Sequence, residues 1–359
     1  MRSLNPPCVK DMRMPESLSQ TNELTLDVSC SATVSTELNK EQPGATAKLP
    51  ITVLIAAKNE ELNISKCLTA LSDFASVVVI DSCSTDRTAI IAAQLGADVV
   101  NFSYDGGYPK KRQWALDTLD IKTPWVLLLD ADEVASPQFI SELRAVVSQK
   151  ETSDGYLITK GFHFLGKRFR FGGFSHAAVL LFRTGKARFE HLIDEASDVL
   201  DMEVHERLIV DGTVAEIEAP LIHEDFKGLE AYVSRHNKYS TWEARVRCQH
   251  LSNGQWGAAS IKPRLFGNAQ ERRRFLKQIA IRIPFEPLLW FVYHFVFKLG
   301  FLEGRRGLIA SQIRSSYIAQ SRAKMFELRL ASDSAIPLSL PFPKIEHSAA
   351  DGFIREKAA

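Results

Sequence analysis

One stretch decides the fold: Trp125-Val-Leu-Leu-Leu-Asp-Ala-Asp-Glu133, in which an apolar run ends directly in acidic side chains. Two earlier apolar stretches are also followed by polar residues: Ile51-Thr-Val-Leu-Ile-Ala-Ala57 precedes Lys58, and Ser76-Val-Val-Val-Ile80 precedes Asp81. Short apolar runs of this kind are typical of strands that are buried on both faces of a sheet. Each run is followed by polar residues, so the polar clusters are expected at the ends of strands.

Helical patterns lie between these strands. One follows residue 63, a second is expected to be capped by Ser84, Thr85 or Asp86, a third is predicted from Lys110 to Leu119, and a fourth begins at Ser136-Pro137. Alternating strands and helices predict an α/β domain with a mainly parallel sheet and helices on both faces. Right-handed crossovers place the carboxyl ends of such strands at one edge, where these sheets bind ligands.

Charge and cysteine content narrow the class of protein. The 359 residues carry a formal net charge of +1, which gives no whole-chain argument for nucleic acid. Residues 262–329, however, contain fourteen Lys/Arg against four Asp/Glu, which favours contact with an anionic surface. The five cysteines form no CxxC pair, so neither a disulfide framework nor a zinc knuckle is indicated. With no apolar run near residue 1, a cytoplasmic location is expected.

The acidic pair Asp130 and Asp132 matches a short motif that carries a divalent cation on a diphosphate. Mg²⁺ or Mn²⁺ held by one or two carboxylates at a strand end would neutralise a departing diphosphate. The alternative is a solvated acidic turn in which an aspartate caps a helix.

Further residues at the same edge are candidates for binding a nucleotide. Asp81 can accept hydrogen bonds from a base or ribose, although a helix-capping cluster would also explain it. Lys111 and Arg112 lie at the start of a helix, where positive charge suits the binding of a phosphate. The alternative is that both side chains lie on a solvated face of the helix. The complete set of predicted nucleotide-binding residues is Ala57, Asn59, Glu60, Asp81, Lys111, Arg112, Asp130 and Ala131.

Several motifs in one order resemble family-2 glycosyltransferases with the GT-A fold. They are Asn59-Glu-Glu61, Asp81-Ser-Cys-Ser-Thr-Asp-Arg-Thr88, Leu129-Asp-Ala-Asp-Glu133, His163-Phe-Leu-Gly-Lys-Arg168, Gly172-Gly173, Val204-His-Glu206 and Leu221-Ile-His-Glu224. Within that family they look most like the branch that builds lipopolysaccharide core or exopolysaccharide. Cys83 and Arg87 stand where that branch usually has glycine, which affects the expected donor loop.

The resemblance implies an inverting transfer of a sugar from a nucleotide donor, and the expected donor is a UDP-sugar. It assigns Glu206 as the general base, with Asp194-Glu195 as the competing pair. It also places His223 where these enzymes often have a histidine that contacts metal or phosphate, so the predicted metal ligands are Asp130, Asp132 and His223. A buried structural histidine is the alternative for His223. Gly172-Gly173 resembles the flexible loop beside donor and acceptor in this family, and a simple turn is the alternative.

The resemblance also sets the expected domain boundaries. Residues 1–48 are rich in polar residues and proline and are expected to be a flexible extension. Residues 49–228 form the GT-A catalytic domain, with a donor half at 49–150 and an acceptor half at 151–228. Residues 229–330 form a helical, basic and aromatic membrane-associating region, and residues 331–359 a flexible tail.

The most apolar stretch, residues 283–302, is nominally long enough to span a bilayer. Pro284, Glu286, Pro287, His294 and Lys298 interrupt it, so a transmembrane helix is not expected. Flanking cations favour a helix that lies in the interface of an anionic membrane, and a buried helical hairpin is the alternative.

The sequence thus predicts a glycosyltransferase that is peripheral on the cytoplasmic face of the inner or plasma membrane. Its expected partners are a nucleotide-sugar donor, a lipid-linked or oligosaccharide acceptor and the membrane surface, without nucleic acid. Two other functions remain open: a nucleotidyltransferase, and a degenerate transferase that binds glycolipid without catalysis.

Overall fold

The structure is a computed structural model and describes residues 47–149, 152–192, 200–203, 206–223, 227–257 and 260–333. The strands are β1 Leu49–Ala57, β2 Phe74–Asp81, β3 Asp98–Asn101, β4 Trp125–Asp130, β5 Glu133–Val134, β6 Gly155–Phe164, β7 Lys167–Arg168, β8 His176–Arg183, β9 Ala187–Phe189, β10 Leu208–Val210 and β11 Val214–His223. The α-helices are α1 Ile64–Thr69, α2 Thr88–Gln94, α3 Lys111–Thr118, α4 Pro137–Val147, α5 Gly228–Asn253, α6 Ala269–Ala280, α7 Glu286–Val292 and α8 Arg305–Asp333.

Four parallel strands form one half of the main sheet, in the order β3-β2-β1-β4. The apolar side chains of the central strands β1 and β4 are buried on both faces, and Ile51, Ile55 and Leu127 are fully inaccessible to solvent. Each such side chain stabilises the fold by about 1.5–3 kcal/mol relative to an exposed position. The register pairs Ala57 with Asp81, and Ala56 with Asp130. The predicted strands and their common polar edge are therefore confirmed.

The other half of the sheet is mixed, so the prediction of a mainly parallel sheet is wrong. β8 is antiparallel to both β4 and β6, β6 is parallel to β11, and β5 is antiparallel to the end of β11. The reason lies in residues 165–175 between β6 and β8, which are all described and contain no helix. A short connection reverses the chain, whereas parallel strands need a crossover of a dozen or more residues that usually includes a helix.

The structure tests the predicted caps of two helices, α4 and α2. The Ser136 hydroxyl accepts a hydrogen bond from the Phe139 amide at 3.2 Å, which confirms the predicted cap of α4. Helix α2 begins at Thr88 after Arg87, whose side chain makes no capping bond. Of the three predicted capping side chains, Asp86 accepts a hydrogen bond from the amide of Thr88 at 3.0 Å, whereas the Ser84 hydroxyl accepts one from the Asn59 amide in a neighbouring loop.

Two predicted elements have different lengths in the structure. The strand predicted over residues 204–210 is present only as β10, and residues 204–205 lie outside the described part of the chain. The helix predicted over residues 230–247 is longer, since α5 continues to Asn253 and ends at Gly254 in the left-handed conformation. The predicted domain boundary at residue 228 coincides with the start of α5 and stays a prediction.

The C-terminal helices are joined by a buried ionic network. Arg247 of α5 lies 2.6 Å from Glu243 and 2.9 Å from Glu286 at the start of α7. Lys277 of α6 lies 2.8 Å from Glu243. All of these acids are buried, and burial of a carboxylate is tolerated when cations and hydrogen bonds compensate it. Glu286 therefore points into the protein although it interrupts an apolar stretch.

Residues 283–302 do not form the single interfacial helix that the sequence predicts. Helix α7 gives way to a π-helical turn at Tyr293–Phe297 and then to a 3-10 turn at Gly300–Glu303. Leu299 has a positive φ of 57°, which ends the helical run. Among the described residues, no helix has the length and apolar character needed to cross a membrane.

Candidate active site

The loops that follow β1 and β2 are tied together at the polar edge of the sheet. The Asn59 side-chain carbonyl accepts a hydrogen bond from the Thr85 amide at 2.9 Å. The Glu60 amide donates to the Thr88 hydroxyl at 2.7 Å, and the Glu60 carboxylate lies 2.6 Å from the Lys227 ammonium. Asn59 and Glu60 thus shape this edge, and their contact with a nucleotide stays a prediction.

Asp81 and Ala57 lie side by side at the ends of β2 and β1. Asp81 is buried, and its carboxylate accepts hydrogen bonds from the amide, at 2.8 Å, and the hydroxyl of Ser84. The Ala57 carbonyl accepts hydrogen bonds from Ser82 at 3.1 Å and from the Lys111 ammonium at 3.0 Å. The Asp81 carboxylate therefore takes part in the polar turn before α2, as the alternative of a helix-capping cluster predicts. Its predicted bond to a nucleotide would use the remaining lone pairs of the carboxylate.

Lys111 and Arg112 at the start of α3 are both buried. The Lys111 ammonium lies 3.3 Å from the Asp201 carboxylate, and the Arg112 guanidinium contacts the Asp130 carboxylate. Burial lowers the pKa of Lys111, against the opposing effect of Asp201. The structure therefore corrects the alternative of a solvated helix face. It gives both cations protein partners, so a direct contact with phosphate stays a prediction.

Asp130 is compensated by two cations, one on each carboxylate oxygen. Oδ1 contacts Arg112, and Oδ2 lies 2.7 Å from the Lys160 ammonium. Burial disfavours the charged carboxylate, but Arg112 and Lys160 outweigh it and hold the pKa of Asp130 well below its usual range. A metal ion at Asp130 would have to displace or sit beside these cations. The geometry therefore opposes the predicted role of Asp130 as a metal ligand. Ala131, also predicted at the donor, is buried in the apolar core.

Lys160 and Glu133 belong to this site, and the sequence did not single them out. Glu133 is fully buried, accepts a hydrogen bond from the Asp130 amide at 2.9 Å, and lies 2.5 Å from the Lys160 ammonium. Burial, with Asp130 and Asp132 nearby, raises the pKa of Glu133 against the opposing Lys160. Glu133 could have been noticed in the acidic block, whereas no local pattern marks Lys160.

The side chains of Asp132 and His223 face each other. The two-residue strand β5 pairs Glu133 with His223 at the end of β11, which brings the imidazole beside the acidic block. Nδ1 of His223 lies 3.3 Å from Oδ1 of Asp132 and 3.7 Å from Oε1 of Glu133. Burial disfavours the imidazolium, but Asp132 and Glu133 outweigh it and raise the pKa of His223 to about 9.

This pair fits a divalent cation that a substrate would help to hold. Nδ1 of His223 is buried and makes no hydrogen bond of acceptable geometry within the described residues, although a carboxylate faces it. The same residues contain no group of three or more His, Cys, Asp or Glu side chains that could hold a metal ion by themselves. Mg²⁺ usually takes one or two protein carboxylates and completes its shell with phosphate oxygens and water. Two protein ligands are therefore enough for a site that a diphosphate completes.

Glu206 lies against the start of α3. It is buried, and its Oε1 is 2.8 Å from the Lys110 ammonium. Glu203, three residues earlier, accepts hydrogen bonds from the Arg112 amide at 3.1 Å and the Gln113 amide at 2.9 Å. The segment that carries Glu206 is thus fastened to the helix that also holds Asp130. The competing base candidates at 194–195 lie outside the described residues.

The loop at Gly172-Gly173 is held by the C-terminal apolar segment. Both glycines have positive φ, 88° and 64°. The His294 imidazole bonds to the Gly172 carbonyl at 2.6 Å, and the Gly172 amide donates to the Lys298 carbonyl at 2.7 Å. A Cβ at Gly172 would lie 2.5 Å from the ring of Phe174. These positions require glycine because of backbone conformation and close packing, which is consistent with a turn, and a role of this loop beside donor and acceptor stays a prediction.

Several known proteins that are similar to this chain are glycosyltransferases. Residues 52–171 match the family model described as glycosyl transferase family 2. The lipopolysaccharide core biosynthesis glycosyltransferase LpsC of Rhizobium meliloti is 27% identical over 293 residues, which cover 78% of this chain and 93% of LpsC. An uncharacterized glycosyltransferase of Rickettsia bellii is 36% identical over 108 residues, which cover 30% of this chain and 35% of that relative.

Part of this chain is also similar to a solved structure. Glucosyl-3-phosphoglycerate synthase from Mycobacterium tuberculosis, in complex with Mn²⁺, UDP and glucosyl-3-phosphoglycerate, is 25% identical with a TM-score of 0.27. The match covers 34% of this chain and 46% of that one. The family model and the LpsC similarity agree with the order of motifs along the sequence. Residues 52–171 therefore form a glycosyl transferase family 2 domain, and most of the chain is similar to a glycosyltransferase of lipopolysaccharide core biosynthesis.

Proposed function

We propose that this enzyme transfers a sugar, with inversion, from a nucleotide-diphosphate donor to a lipid-linked or polysaccharide acceptor in cell-envelope glycan synthesis. A UDP-sugar is the proposed donor. The observation that carries the proposal is the pairing of Asp132 with His223 at a strand-end edge whose other acid, Asp130, is already compensated. At such an edge, the Asp132 carboxylate and the His223 imidazole are the groups that would hold a cation on the diphosphate.

The proposed metal ligands are two of the three residues that the sequence predicts. Asp132 and His223 would hold Mg²⁺ or Mn²⁺, while Asp130 would position Arg112 and Lys160 beside the donor. When bound, the cation would supply charge neutralisation for the departing diphosphate. Ala57, Asn59, Glu60 and Asp81 would line the nucleotide end of the site, because they stand at the ends of neighbouring strands.

Glu206 is the proposed general base. The acceptor hydroxyl would give its proton to the Glu206 carboxylate while its oxygen forms a bond to the anomeric carbon of the donor. The bond between that carbon and the phosphate oxygen would break on the opposite face, and its electron pair would leave with the nucleoside diphosphate. The Lys110 ammonium, 2.8 Å away, stabilises the charged carboxylate, which is the form that a base requires.

A metal-dependent response to nucleotide tests the donor proposal. UDP with Mn²⁺ is expected to raise the melting temperature, because a ligand present at a hundred times its Kd stabilises the native state by about 2.7 kcal/mol. A thermal-shift panel of UDP, GDP, CDP and ADP, each with Mn²⁺ and with EDTA, would measure it. Pyrophosphate consumption with a sugar-nucleotide would instead indicate a nucleotidyltransferase, and no response to any nucleotide would contradict the proposal.

The proposed membrane contact is the exposed side of residues 285–297, here called the apolar face. Its large exposed side chains recur at intervals of three and four residues: Phe285, Leu288, Leu289, Tyr293, Val296 and Phe297. Exposed cations flank it: Arg282, Lys298, Arg305 and Arg306. The two acids of this region, Glu286 and Glu303, are buried. An apolar face bordered by cations, with its acids turned inward, suits the interface of an anionic bilayer. The proposed location is therefore the cytoplasmic face of the inner or plasma membrane.

Vesicle binding tests the apolar face. The double variant Leu288→Asp/Phe297→Asp is expected to lower the affinity for vesicles with 30% anionic lipid at least tenfold. The reason is that each fully buried Leu or Phe side chain contributes about 1.5–3 kcal/mol, and a tenfold change corresponds to about 1.4 kcal/mol. Co-sedimentation at fixed ionic strength measures it. Ile90→Asp, which changes an exposed apolar residue of α2, is the matched control. Equal binding by the double variant and the control would contradict this contact.

A further inference from the structure

The hairpin turn between β6 and β7 carries a leucine where the backbone favours other residues. The register pairs Phe164 with Lys167, so Leu165 and Gly166 form a two-residue loop. Both have positive φ, 49° and 72°, which is typical of a type I′ turn. Asparagine, aspartate or glycine is strongly preferred at the first position, because a larger side chain strains the left-handed backbone. Leu165 is 46% exposed, so burial offsets only part of this strain.

A second exposed leucine has the same backbone conformation close to this hairpin. Leu299 has a φ of 57° and is 43% exposed, at the turn between the π-helical and 3-10 segments. The carbonyl of Lys298, directly before it, accepts a hydrogen bond from the Gly172 amide at 2.7 Å. The carbonyl of Leu165 accepts one from Nε of Arg306 at 3.1 Å. The two leucine turns therefore lie on segments that are in direct contact.

Glu303 fastens these two segments to each other. It is buried, and its Oε1 accepts hydrogen bonds from the amides of Arg170 at 2.7 Å and Phe171 at 2.9 Å. Its Oε2 lies 2.6 Å from the Lys167 ammonium. A carboxylate that holds three donors of one hairpin resists separation of the segments, because each donor would lose its partner. The hairpin and the C-terminal segment are thus expected to meet a binding partner as one surface.

This surface, here called the leucine-turn surface, consists of residues 165–171 and 298–306. Glu303, the only acid of these two segments, is buried. The exposed apolar side chains besides the two leucines are Phe171, Phe301 and Leu302. The exposed charges are all positive and belong to Arg168, Arg170, Lys298, Arg305 and Arg306. Apolar turns among cations match the interface of an anionic bilayer, whereas a second copy of this chain would bring the same positive charges against them.

We propose that the turns at Leu165 and Leu299 insert into an anionic bilayer together with the apolar face. The inference rests on the proposed membrane contact and extends it to the hairpin of the sheet. Leu165 is five residues from Lys160, which contacts Asp130, and five residues span at most about 18 Å. A bilayer at Leu165 would therefore lie close to the reacting edge, as a lipid-linked acceptor requires.

Asparagine at both turns tests the proposal. Leu165→Asn/Leu299→Asn, here called the asparagine variant, is expected to weaken binding to vesicles of phosphatidylcholine and phosphatidylglycerol at least about tenfold, because nearly half of each leucine would no longer leave water for the bilayer. The melting temperature is not expected to fall, since asparagine suits the left-handed conformation. Leucines that served only the fold would give the opposite pattern. Leu95→Asn changes a leucine that is 47% exposed at the end of α2, and it is the matched control.

Co-sedimentation at fixed ionic strength measures the affinity, and sedimentation equilibrium without lipid measures the oligomeric state. Equal vesicle binding by the asparagine variant and Leu95→Asn would overturn the proposal. A dimer that only the asparagine variant loses would also overturn it, because the partner would then be a second copy. If the asparagine variant lost affinity and Leu288→Asp/Phe297→Asp did not, the leucine turns would be supported and the apolar face contradicted. No thermal shift with UDP and Mn²⁺ would contradict the donor proposal whatever the lipid result, so the failures are distinguishable.

Discussion

Replacing Asp132 with alanine is expected to lower the rate of sugar transfer about a thousandfold while the protein stays folded. Asp132 is proposed to supply the only carboxylate of the metal pair, and a bound metal contributes several kcal/mol to a developing charge. A factor of ten in rate corresponds to 1.36 kcal/mol, so a loss of about 4 kcal/mol gives this effect. Release of UDP from the donor, measured at saturating Mn²⁺, checks the rate.

The binding of UDP separates a metal role from a general loss of function. In Asp132→Ala, the part of the UDP thermal shift that requires Mn²⁺ is expected to disappear, while the shift in EDTA is retained. Asp120→Ala is the matched control, since Asp120 forms only an exposed ion pair with Lys122. Full metal-dependent activity in Asp132→Ala would exclude Asp132 as a ligand.

A variant of Asp130 tests the proposal that Asp132, and not Asp130, binds the metal. Asp130→Asn would leave the buried Arg112 and Lys160 without their shared carboxylate, so a larger fall in thermal stability is expected than for Asp132→Ala. If the two variants had equal stability and Asp130→Asn alone removed the metal response, Asp130 would be the metal ligand and the proposal that Asp132 binds the metal would be wrong.

The sequence was sufficient for the parallel half of the sheet because its signals are local. Apolar runs that end in acids reveal both the strand and its functional end, as at Asp81 and Asp130. The cap of α4 is equally local, since a serine and a proline stand directly before an apolar helix. These features depend on residues within a few positions of each other, and the structure confirms them.

The features that were missed depend on pairing between distant segments. Lys160 reaches Asp130 across thirty positions, and no local pattern shows that a side chain of β6 contacts the end of β4, since β8 lies between these two strands in the sheet. His223 could be suggested only by resemblance, because the two-residue strand β5 that brings it to Asp132 has no detectable sequence signal. The direction of β8 depends on the short connection from β6, and apolar runs alone do not distinguish parallel from antiparallel strands.

The second large effect concerns stability and the ion pair between Glu190 and Arg274. Both side chains are buried, the guanidinium lies 2.5 Å from the carboxylate, and the carboxylate also accepts hydrogen bonds from the amides of Arg207 and Ile261. Arg274 stacks on the ring of Trp256 at 4.8 Å. This one carboxylate therefore joins α6, the segment at residue 261 and the segment before β10.

Glu190→Ala is expected to lower the free energy of unfolding by about 3–5 kcal/mol, because it leaves a buried guanidinium and two amides without acceptors. Urea unfolding followed by circular dichroism measures the change. The double variant Glu190→Leu/Arg274→Met removes both charges and is expected to recover part of the loss, since a buried ion pair often gains little over apolar residues of similar volume. The coupling free energy from the full mutant cycle should then be at least 1 kcal/mol. Strictly additive losses would mean that the pair is not what holds α6 to the sheet domain.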